Sequence, residues 1–266
     1  MRVLLDISNL SVSFRNDEGV VTEAAVDVDL TLNRGEVLGV VGESGSGKSS
    51  VAMSVARLLP SPPAFYPSGR ILLDGVDTLK MPLADLRRLR GKKIGVVFQD
   101  PVGSLSPLHR IGDQLVETVR LHERLSRKAA REMSIEWLGR VGIPDPELRA
   151  RAYPHELSGG MQQRVMIAMA LMLDPDLVIA DEPTTALDVT VQAQVLRLMR
   201  RLHRAHSGIL LITHDLGVVS QMATKIAVMK AGRVVETADD PAAFFAHPVH
   251  PYSQNLISEA RKMEFK

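Results

Sequence analysis

A glycine-rich loop near the start of the chain restricts the possible folds more than any other feature. The segment Gly42–Ser49 reads Gly-Glu-Ser-Gly-Ser-Gly-Lys-Ser and matches the pattern G-x4-G-K-S/T. It follows a compact apolar run, Glu36–Val41, which we predict to be a buried strand, and a helical pattern begins at Lys48. A strand, this loop and a helix in that order predict an α/β fold with an anion site at the carboxyl end of the strand.

The residue types in the loop explain the chemistry that we expect there. Glycines let successive backbone N–H groups turn inward into an anion-binding concavity, and the helix directs its positive end to the same point. Lys48 can reach the β- and γ-phosphates of a nucleotide, and the Ser49 hydroxyl can ligate Mg²⁺. The alternative is a flexible Gly/Ser linker, which the flanking strand and helix disfavour. The predicted phosphate-binding residues are Gly42, Glu43, Ser44, Gly45, Ser46, Gly47, Lys48, Ser49 and Ser50.

The rest of the chain alternates strand-like and helix-like patterns, which predicts a mainly parallel sheet. From about Ile111 to Val141 charges and apolar residues alternate at helical spacing, and we predict an inserted helical subdomain over about 104–173. Asp240-Pro241 is predicted to open a short helix in a C-terminal tail segment, about 240–266. The predicted strands are Val3–Ile7, Val12–Phe14, Ala25–Leu32, Ile94–Phe98, Leu177–Ala180, Ile209–Thr213 and Ile226–Met229. The other predicted elements are helices over Lys48–Leu58 and Val191–Leu202 and a loop over Pro60–Gly69.

A pair of acids follows the predicted strand Leu177–Ala180. Asp181 is placed to hold Mg²⁺, directly or through water, and Glu182 could polarise an attacking water as a general base. Two adjacent acids alone more often mark a solvated turn. The phosphate loop upstream and Pro183 at the end of the strand favour the catalytic interpretation.

A second helix start suited to an anion lies between these two features. Leu157–Arg164 reads Leu-Ser-Gly-Gly-Met-Gln-Gln-Arg, in which Ser158 is a good N-cap and Gly159 and Gly160 leave their amides open. A capped helix with a flexible entry is the plain alternative. Neither a P-loop kinase nor a GTPase accounts for this segment. A GTPase is also disfavoured because no guanine-reading Asn-Lys-x-Asp occurs in the sequence.

Composition excludes further classes of protein. Without cysteine, the chain can form no disulfide, thiolate metal site or iron–sulfur cluster. A net charge of +1 implies no bulk attraction to nucleic acid. The longest charge-free apolar run, Val165–Leu173, has nine residues, and a bilayer span needs about 20, so we expect no membrane anchor in this sequence.

These motifs, in this order, resemble those of the ATP-binding cassette (ABC) ATPases over almost the whole chain. Lys48 and Asp181 match the family's two phosphate-and-metal motifs, and Leu157–Gln162 matches its signature sequence. The resemblance implies the P-loop ABC-cassette fold: a mainly parallel core sheet, an antiparallel β subdomain and an inserted α-helical subdomain. It also implies a single nucleotide-binding domain over 1–266 that hydrolyses ATP with Mg²⁺.

The resemblance assigns roles to further residues. Phe14 stands where the family has an aromatic that stacks on adenine, although an ordinary core Phe is the alternative. Gln99 matches the loop glutamine that senses Mg²⁺ and touches the membrane subunit, and His214 matches the histidine that contacts the γ-phosphate. Ala186-Leu187-Asp188 matches a loop that crosses the dimer interface. Ser158, Gly159 and Gly160 would contact the nucleotide of a paired cassette.

In this family two cassettes pair head to tail and drive a membrane partner. The resemblance therefore implies two transmembrane permease subunits, a second ABC ATPase or a second copy of this chain, and a substrate-binding protein. The expected place is the cytoplasmic face of the inner membrane, with attachment through partner subunits. Ser104–Leu121 would form the groove for a permease helix, although its apolar residues fit a core equally well.

Longer stretches resemble the ATPases of bacterial dipeptide, oligopeptide and nickel importers, and in particular their first-type subunit. They are Gly42–Gly47, Phe98–Pro107, Tyr153–Arg164, Glu182–Thr190 and the tail His247–Leu256. Many peptide-importer ATPases carry a further tail with a cysteine cluster, which this sequence lacks, and this keeps a nickel importer as the alternative. His247 and His250 suggest a metal site, but two prolines and no acidic partner favour a docking loop.

Other ABC ATPases fit less well. Soluble members that act on ribosomes or DNA usually carry two cassettes or a long insertion, and this sequence has one motif set. An exporter ATPase is disfavoured by the importer-like stretches. A non-hydrolysing regulatory cassette is disfavoured because Glu182 and His214 are both present.

Overall fold

The computed structural model of the chain describes residues 2–185 and 187–264. It forms two compact units, the first combining residues 1–86 with residues 204–266 and the second comprising residues 87–203. The first unit is therefore discontinuous in sequence. The predicted boundaries of the helical subdomain, about 104–173, stay a prediction.

The first unit contains an antiparallel sheet with the strand order β2-β1-β4-β5. Its strands are β1 (Val3–Arg15), β2 (Val21–Asn33), β4 (Ala64–Leu73) and β5 (Val76–Asp77). Apolar residues that alternate along β1 and β2, such as Leu5, Val12, Val28 and Leu30, turn one face of the sheet toward the core.

The parallel part of the first unit carries the glycine-rich loop. Its strands are β3 (Val37–Val41), β8 (Gly208–Thr213), β9 (Lys225–Lys230) and β10 (Arg233–Ala238), in the order β10-β9-β3-β8. β3 lies parallel between β8 and β9, and β10 is antiparallel to β9. Every residue of β3 is buried, as its continuous apolar run predicts for a strand covered on both faces.

Helices complete the first unit. They are α1 (Lys48–Val55), α9 (Leu216–Met222), α10 (Pro241–Ala246) and α11 (Pro251–Glu264), and α2 (Leu83–Leu89) follows β5 in the chain. Asp240 caps α10 by accepting a bond from the N–H of Ala242, and Pro241 is its first residue, as predicted.

The second unit is built from two parallel strands and a group of helices. The strands β6 (Ile94–Val97) and β7 (Leu177–Asp181) pair in register from Ile94 with Leu177 to Val97 with Ala180. The helices are α3 (Pro101–Ser104), α4 (Ile111–His122), α5 (Arg127–Arg140), α6 (Pro146–Arg149), α7 (Gly159–Leu171) and α8 (Val189–Leu202), with a 3₁₀ turn at Pro154–Glu156.

Three predictions of local structure were wrong in part. The two predicted N-terminal strands form one strand, β1, whose alternation is interrupted at Asn9, where φ is +49° and the register shifts. The predicted loop Pro60–Gly69 is a strand from Ala64 onward, because it pairs with β1. Helix α1 ends at Val55 instead of Leu58, because Arg57 turns left-handed and Leu58 N–H bonds back to the carbonyl of Met53.

Within the described residues, no helix is both long enough and apolar enough to cross a membrane.

Candidate nucleotide-binding site

The glycine-rich loop lies between the end of β3 and the start of α1, as predicted. Gly42 and Gly47 have positive φ angles of +153° and +96°, where other residues are strained. A side chain at Gly42 would overlap the carbonyl oxygen of Met229, and one at Gly47 would overlap that of Ala24. The backbone passes so close to its neighbours that only glycine fits at these two positions.

Lys48 is buried and its ammonium group points back into the loop. Its Nζ donates to the carbonyl oxygens of Gly42 and Glu43, at 2.7 Å each, and to the Ser46 hydroxyl at 3.3 Å. The side chain is 5% exposed, so these acceptors replace the water that the charge gives up. The loop therefore holds a positive charge at a fixed place.

The start of α1 is left without a side-chain cap. Its N-cap is Gly47, and no acidic residue stands in its first turn. Ser49 and Ser44 are exposed and Ser46 is buried. An uncapped helix start beside a lysine is suited to an anion such as a phosphate group.

His214 and Phe14 also belong to the first unit. His214 follows β8 and is exposed, and the next residue, Asp215, caps α9 through the N–H groups of Gly217 and Val218. Phe14 lies near the end of β1, where it pairs with Thr22 and Ala64, and it is half-buried. Its burial is intermediate, so the adenine-stacking role stays a prediction.

The acid pair stands in the second unit at the end of β7. Asp181 is 7% exposed, and Glu182 is half-buried with a left-handed φ of +46°. This backbone costs of order 1–3 kcal/mol for a residue other than glycine, and such strain clusters at active sites. With this φ, the Glu182 side chain does not continue the alternation of side chains along β7.

Gln99 and Glu182 are brought together because β6 and β7 end side by side. The Nε2 of Gln99 donates to Oε2 of Glu182 at 3.1 Å. The same oxygen accepts a bond from the Thr185 hydroxyl at 2.8 Å. Sequence reasoning missed Thr185, although a hydroxyl three residues after an acid is a local signal that could have indicated it.

The segment predicted to start a second anion-binding helix is the N-terminus of α7. Ser158 is the N-cap, and its hydroxyl accepts a bond from the N–H of Met161 at 3.4 Å, as predicted. In the part of the chain that the structure describes, no atom beyond the neighbouring residues and the backbone of α7 itself lies within 4 Å of the place where Gly159 would carry a Cβ. A Cβ on Gly160 would meet Val191 at 2.8 Å, so packing constrains this second glycine.

Two glutamines of α7 fix its surroundings. Gln162 donates to the carbonyl oxygens of Pro154 and Leu157, and Gln163 donates to that of Pro183 at 2.5 Å. Both are buried, and Gln163 ties α7 to the residue after Glu182. Sequence reasoning placed Gln162 in the signature and Gln163 directly after it, and gave neither of them this role. A buried amide beside a polar loop usually bonds a backbone group, which is the signal that was available.

The predicted interface loop is only partly described. Ala186 lies outside the described residues. Leu187 is half-buried, and Asp188 is exposed and caps α8 by accepting a bond from the N–H of Val191 at 2.9 Å.

Oxygen ligands suited to Mg²⁺ are present among the predicted residues. They are the exposed Ser49 hydroxyl at the start of α1 and the buried Asp181 carboxylate at the end of β7. Among the described residues, no group of three His, Cys, Asp or Glu side chains could hold a metal ion. The hydroxyl and the carboxylate are each an oxygen ligand of the kind that Mg²⁺ takes, and this ion usually completes its shell with phosphate oxygens and water.

Comparison with known proteins places the chain among transport ATPases. The family model described as ABC transporter matches residues 25–185. The chain is 46% identical over 262 residues to an oligopeptide transport ATP-binding protein, OppD, of Bacillus subtilis, covering 98% of this chain and 73% of the relative. It is 48% identical over 257 residues to a probable peptide ABC transporter ATP-binding protein, y4tR, of Sinorhizobium fredii, covering 96% of this chain and 76% of that one.

A solved structure has the same fold. It is a dimeric, post-hydrolysis state of the ATP-binding cassette MJ0796 bound to ADP and Pi, with a TM-score of 0.78 and 28% identity, covering 88% of this chain and 98% of that one. The predicted resemblance, fold class and ATPase activity are thereby confirmed.

Proposed function

Since this chain is an ATPase of the ABC transporter family, we propose that it powers the import of peptides through a membrane permease. The observation that carries this proposal is the identity of 46% to an oligopeptide transport ATP-binding protein, spread over 98% of the chain. A nickel importer, the alternative from the sequence, is not favoured, because both relatives reported above are named for peptide transport.

The loop residues Gly42–Ser50 would hold the phosphates of ATP. Lys48 carries the positive charge for them, and Phe14, which is partly exposed, would stack on the adenine. Ser49, Asp181 and Gln99 would hold Mg²⁺, which when bound neutralises charge on the phosphate oxygens.

Glu182 would act as the general base of hydrolysis, with His214 against the γ-phosphate. Its carboxylate would take the proton of the attacking water. Gln99 and Thr185 both bond Oε2 of Glu182, which orients the carboxylate. The strained backbone and these two bonds support a base that is positioned before ATP arrives.

Ser158, Gly159 and Gly160 would serve the nucleotide of a paired cassette. Ser158 caps α7 and the space beside Gly159 is open within the described chain, which supports an approach by a ligand from outside. The solved relative MJ0796 is dimeric with ADP and Pi. We therefore propose pairing with a second ABC ATPase or with another copy of this chain, and expect a lone chain to hydrolyse ATP slowly.

The further partners would be two permease subunits and a substrate-binding protein. Attachment to the cytoplasmic face of the inner membrane would go through the permease. Ser104–Leu121 would receive it, and exposed apolar residues there, such as Leu108 and Leu121, support a covered surface.

Purification from native membranes tests these proposals. The tagged chain is extracted in mild detergent, its co-purifying subunits are identified by mass spectrometry, and the complex is placed in liposomes with radiolabelled peptide or nickel. We expect two permease subunits, a paired ATPase and ATP-dependent peptide uptake, and the Glu182→Gln complex should assemble without uptake. Nickel uptake without peptide uptake would overturn the substrate class, and recovery with ribosomes or nucleic acid would overturn the transport role.

A further inference from the structure

The C-terminal tail of the first unit packs beneath the phosphate loop. Tyr252, the second residue of α11, is 6% exposed. Its ring lies in a buried apolar cluster with Val41, the residue directly before the loop, and with residues of α9, β9 and α10. The other buried members are Leu216, Val219, Ile226, Val228, Phe244 and Ile257. The sequence pattern predicted a docking loop for this tail. In the structure, the tail packs against residues of its own unit.

The hydroxyl of Tyr252 reaches the backbone of the loop. It accepts a hydrogen bond from the N–H of Glu43 at 3.1 Å. Partial burial raises the pKa of Tyr252, and the nearby carboxylates of Glu43 and Glu259 raise it further, which outweighs the opposite effect of the backbone bond. The phenol therefore stays neutral near pH 7 and keeps its lone pairs for this N–H group.

That N–H belongs to the same peptide group as an acceptor of the Lys48 ammonium. The peptide that joins Gly42 and Glu43 donates through its nitrogen to Tyr252, and its carbonyl oxygen accepts from Nζ of Lys48 at 2.7 Å. A trans peptide is planar, with its N–H and C=O on opposite sides. The hydroxyl on one side therefore fixes the direction of the oxygen on the other.

The tail itself is held in register by polar bonds. Both carboxylate oxygens of Glu236, on β10, accept bonds from the N–H groups of Val249 and His250 at 2.9 Å. Nδ1 of His250 accepts a bond from the N–H of Tyr252 at 3.1 Å, and Nζ of Lys230 lies 4.6 Å from the centre of the Tyr252 ring. The phenol has little freedom to move away from the loop.

We propose that Tyr252 is a positioning residue for ATP binding: its hydroxyl fixes the Gly42–Glu43 peptide, whose carbonyl oxygen holds the ammonium group of Lys48 in place. Tyr252 touches no reacting atom and acts through this peptide. Without the Tyr252 hydroxyl, the Gly42–Glu43 peptide could rotate. The Lys48 ammonium would then meet the phosphates in several orientations instead of one.

Replacing Tyr252 with Phe tests the role, because it removes the hydroxyl and keeps the ring in the apolar cluster. The affinity for ATP and ADP, measured with a fluorescent nucleotide, should fall by about three- to tenfold, the range that one neutral hydrogen bond supports. The KM for ATP should rise by the same factor, with kcat changed less than about twofold and the melting temperature lowered by only about 2–4 °C, the effect of one hydrogen bond on stability. Tyr66→Phe, the matched loss of a hydroxyl from β4 of the same unit, should leave the affinity unchanged.

Hydrogen exchange supplies the readout that a general loss of structure would not give. In Tyr252→Phe the Glu43 amide should exchange faster, while the amides of β3 keep their protection. Unchanged affinity, unchanged exchange at Glu43, or a fall in kcat at constant KM would each overturn the proposal. The inference rests on ATP binding by this chain, so wild-type protein that fails to bind ATP would refute the proposed function itself, whereas equal binding by wild type and variant would refute only the role of Tyr252.

Discussion

At the scale of single residues, Glu182 combines an unusual backbone with a defined side-chain environment. Its φ of +46° breaks with the strand before it, and Gln99 and Thr185 both donate to one of its carboxylate oxygens. A general base needs a fixed direction as well as a lone pair, and this arrangement supplies both. Glutamine at this position keeps an oxygen that can accept the same two bonds and loses only the basicity.

We therefore expect Glu182→Gln to bind ATP with unchanged affinity and to lose turnover by about 10²–10⁴-fold, the usual contribution of a general base. The measurements are steady-state phosphate release by the assembled transporter and nucleotide binding by the purified chain. Glu132→Gln, the same loss of charge on the exposed surface of α5, is the control and should hydrolyse ATP normally. Retained turnover in Glu182→Gln would refute the assignment of the base.

At the scale of elements, α7 depends on a glycine for its contact with α8. A Cβ on Gly160 would stand 2.8 Å from the Cγ1 of Val191, whereas the space at Gly159 is open within the described chain. Glycine therefore serves a different purpose at each of these two adjacent positions. One lets two helices approach closely, and the other leaves the helix start accessible.

Alanine at the two positions should accordingly have different effects. Gly160→Ala is expected to lower the free energy of unfolding by about 1–3 kcal/mol through overpacking. Gly159→Ala should not lower it, because alanine is the better helix former. The double variant Gly160→Ala/Val191→Ala should recover part of the loss, measured by urea unfolding of all four proteins. Equal losses for the two single variants would contradict this account of the contact.

The link between β10 and the tail predicts a dependence on pH. Partial burial alone would raise the pKa of Glu236, but the nearby Ser253 hydroxyl, the N–H groups of Val249 and His250 and the charge of the His250 ring together lower it below the ordinary 4.5. A carboxyl whose pKa is lowered by folding stabilises the folded state above its unfolded pKa, and this contribution is lost as the pH falls through the folded pKa.

Glu236→Gln should therefore be less stable than wild type at pH 7, by about 1 kcal/mol, since an amide offers one acceptor oxygen to two donors. The difference should shrink as the pH falls below about 4.5, where wild type takes up a proton. Thermal unfolding at a series of pH values measures it. A difference that stays constant from pH 7 to pH 3 would show that the ionised form of Glu236 contributes nothing.

From the sequence, we predicted features that depend on neighbouring residues and missed contacts between residues far apart in the chain. The loop at Gly42–Ser49, the Ser158 cap and the Asp240 cap were found because each depends on neighbours in the chain. The pairing of Tyr252 with Glu43 joins residues 209 positions apart, and no local pattern indicates it. Strand β1 was split because its apolar alternation slips at Asn9, and only its pairing partners show that the strand continues. The tail was predicted to be a docking loop, and the acid that holds it within its own unit, Glu236, lies outside the motif.

At the scale of the whole molecule, binding at the loop is coupled to unfolding of the entire chain. ATP with Mg²⁺ at a hundredfold excess over its Kd should stabilise the folded protein by about 2.7 kcal/mol. For a chain of this size that corresponds to a rise in melting temperature of roughly 5–10 °C. The ammonium of Lys48 carries the positive charge of the loop, so Lys48→Ala should lose most of this shift, whatever its own melting temperature. A full shift in Lys48→Ala, measured by scanning calorimetry, would contradict the role of the ammonium.

The discontinuity of the first unit has a consequence for biosynthesis. In the growing chain, β8 follows strand β3 and its loop by about 170 residues, and Tyr252 follows later still. At about 5–20 residues per second, β3 waits roughly 10–30 s for the strand that flanks it. Until β8 is made, the nascent chain thus displays a fully apolar strand with unpaired edges, and the phosphate loop lacks its contact with Tyr252 for longer still.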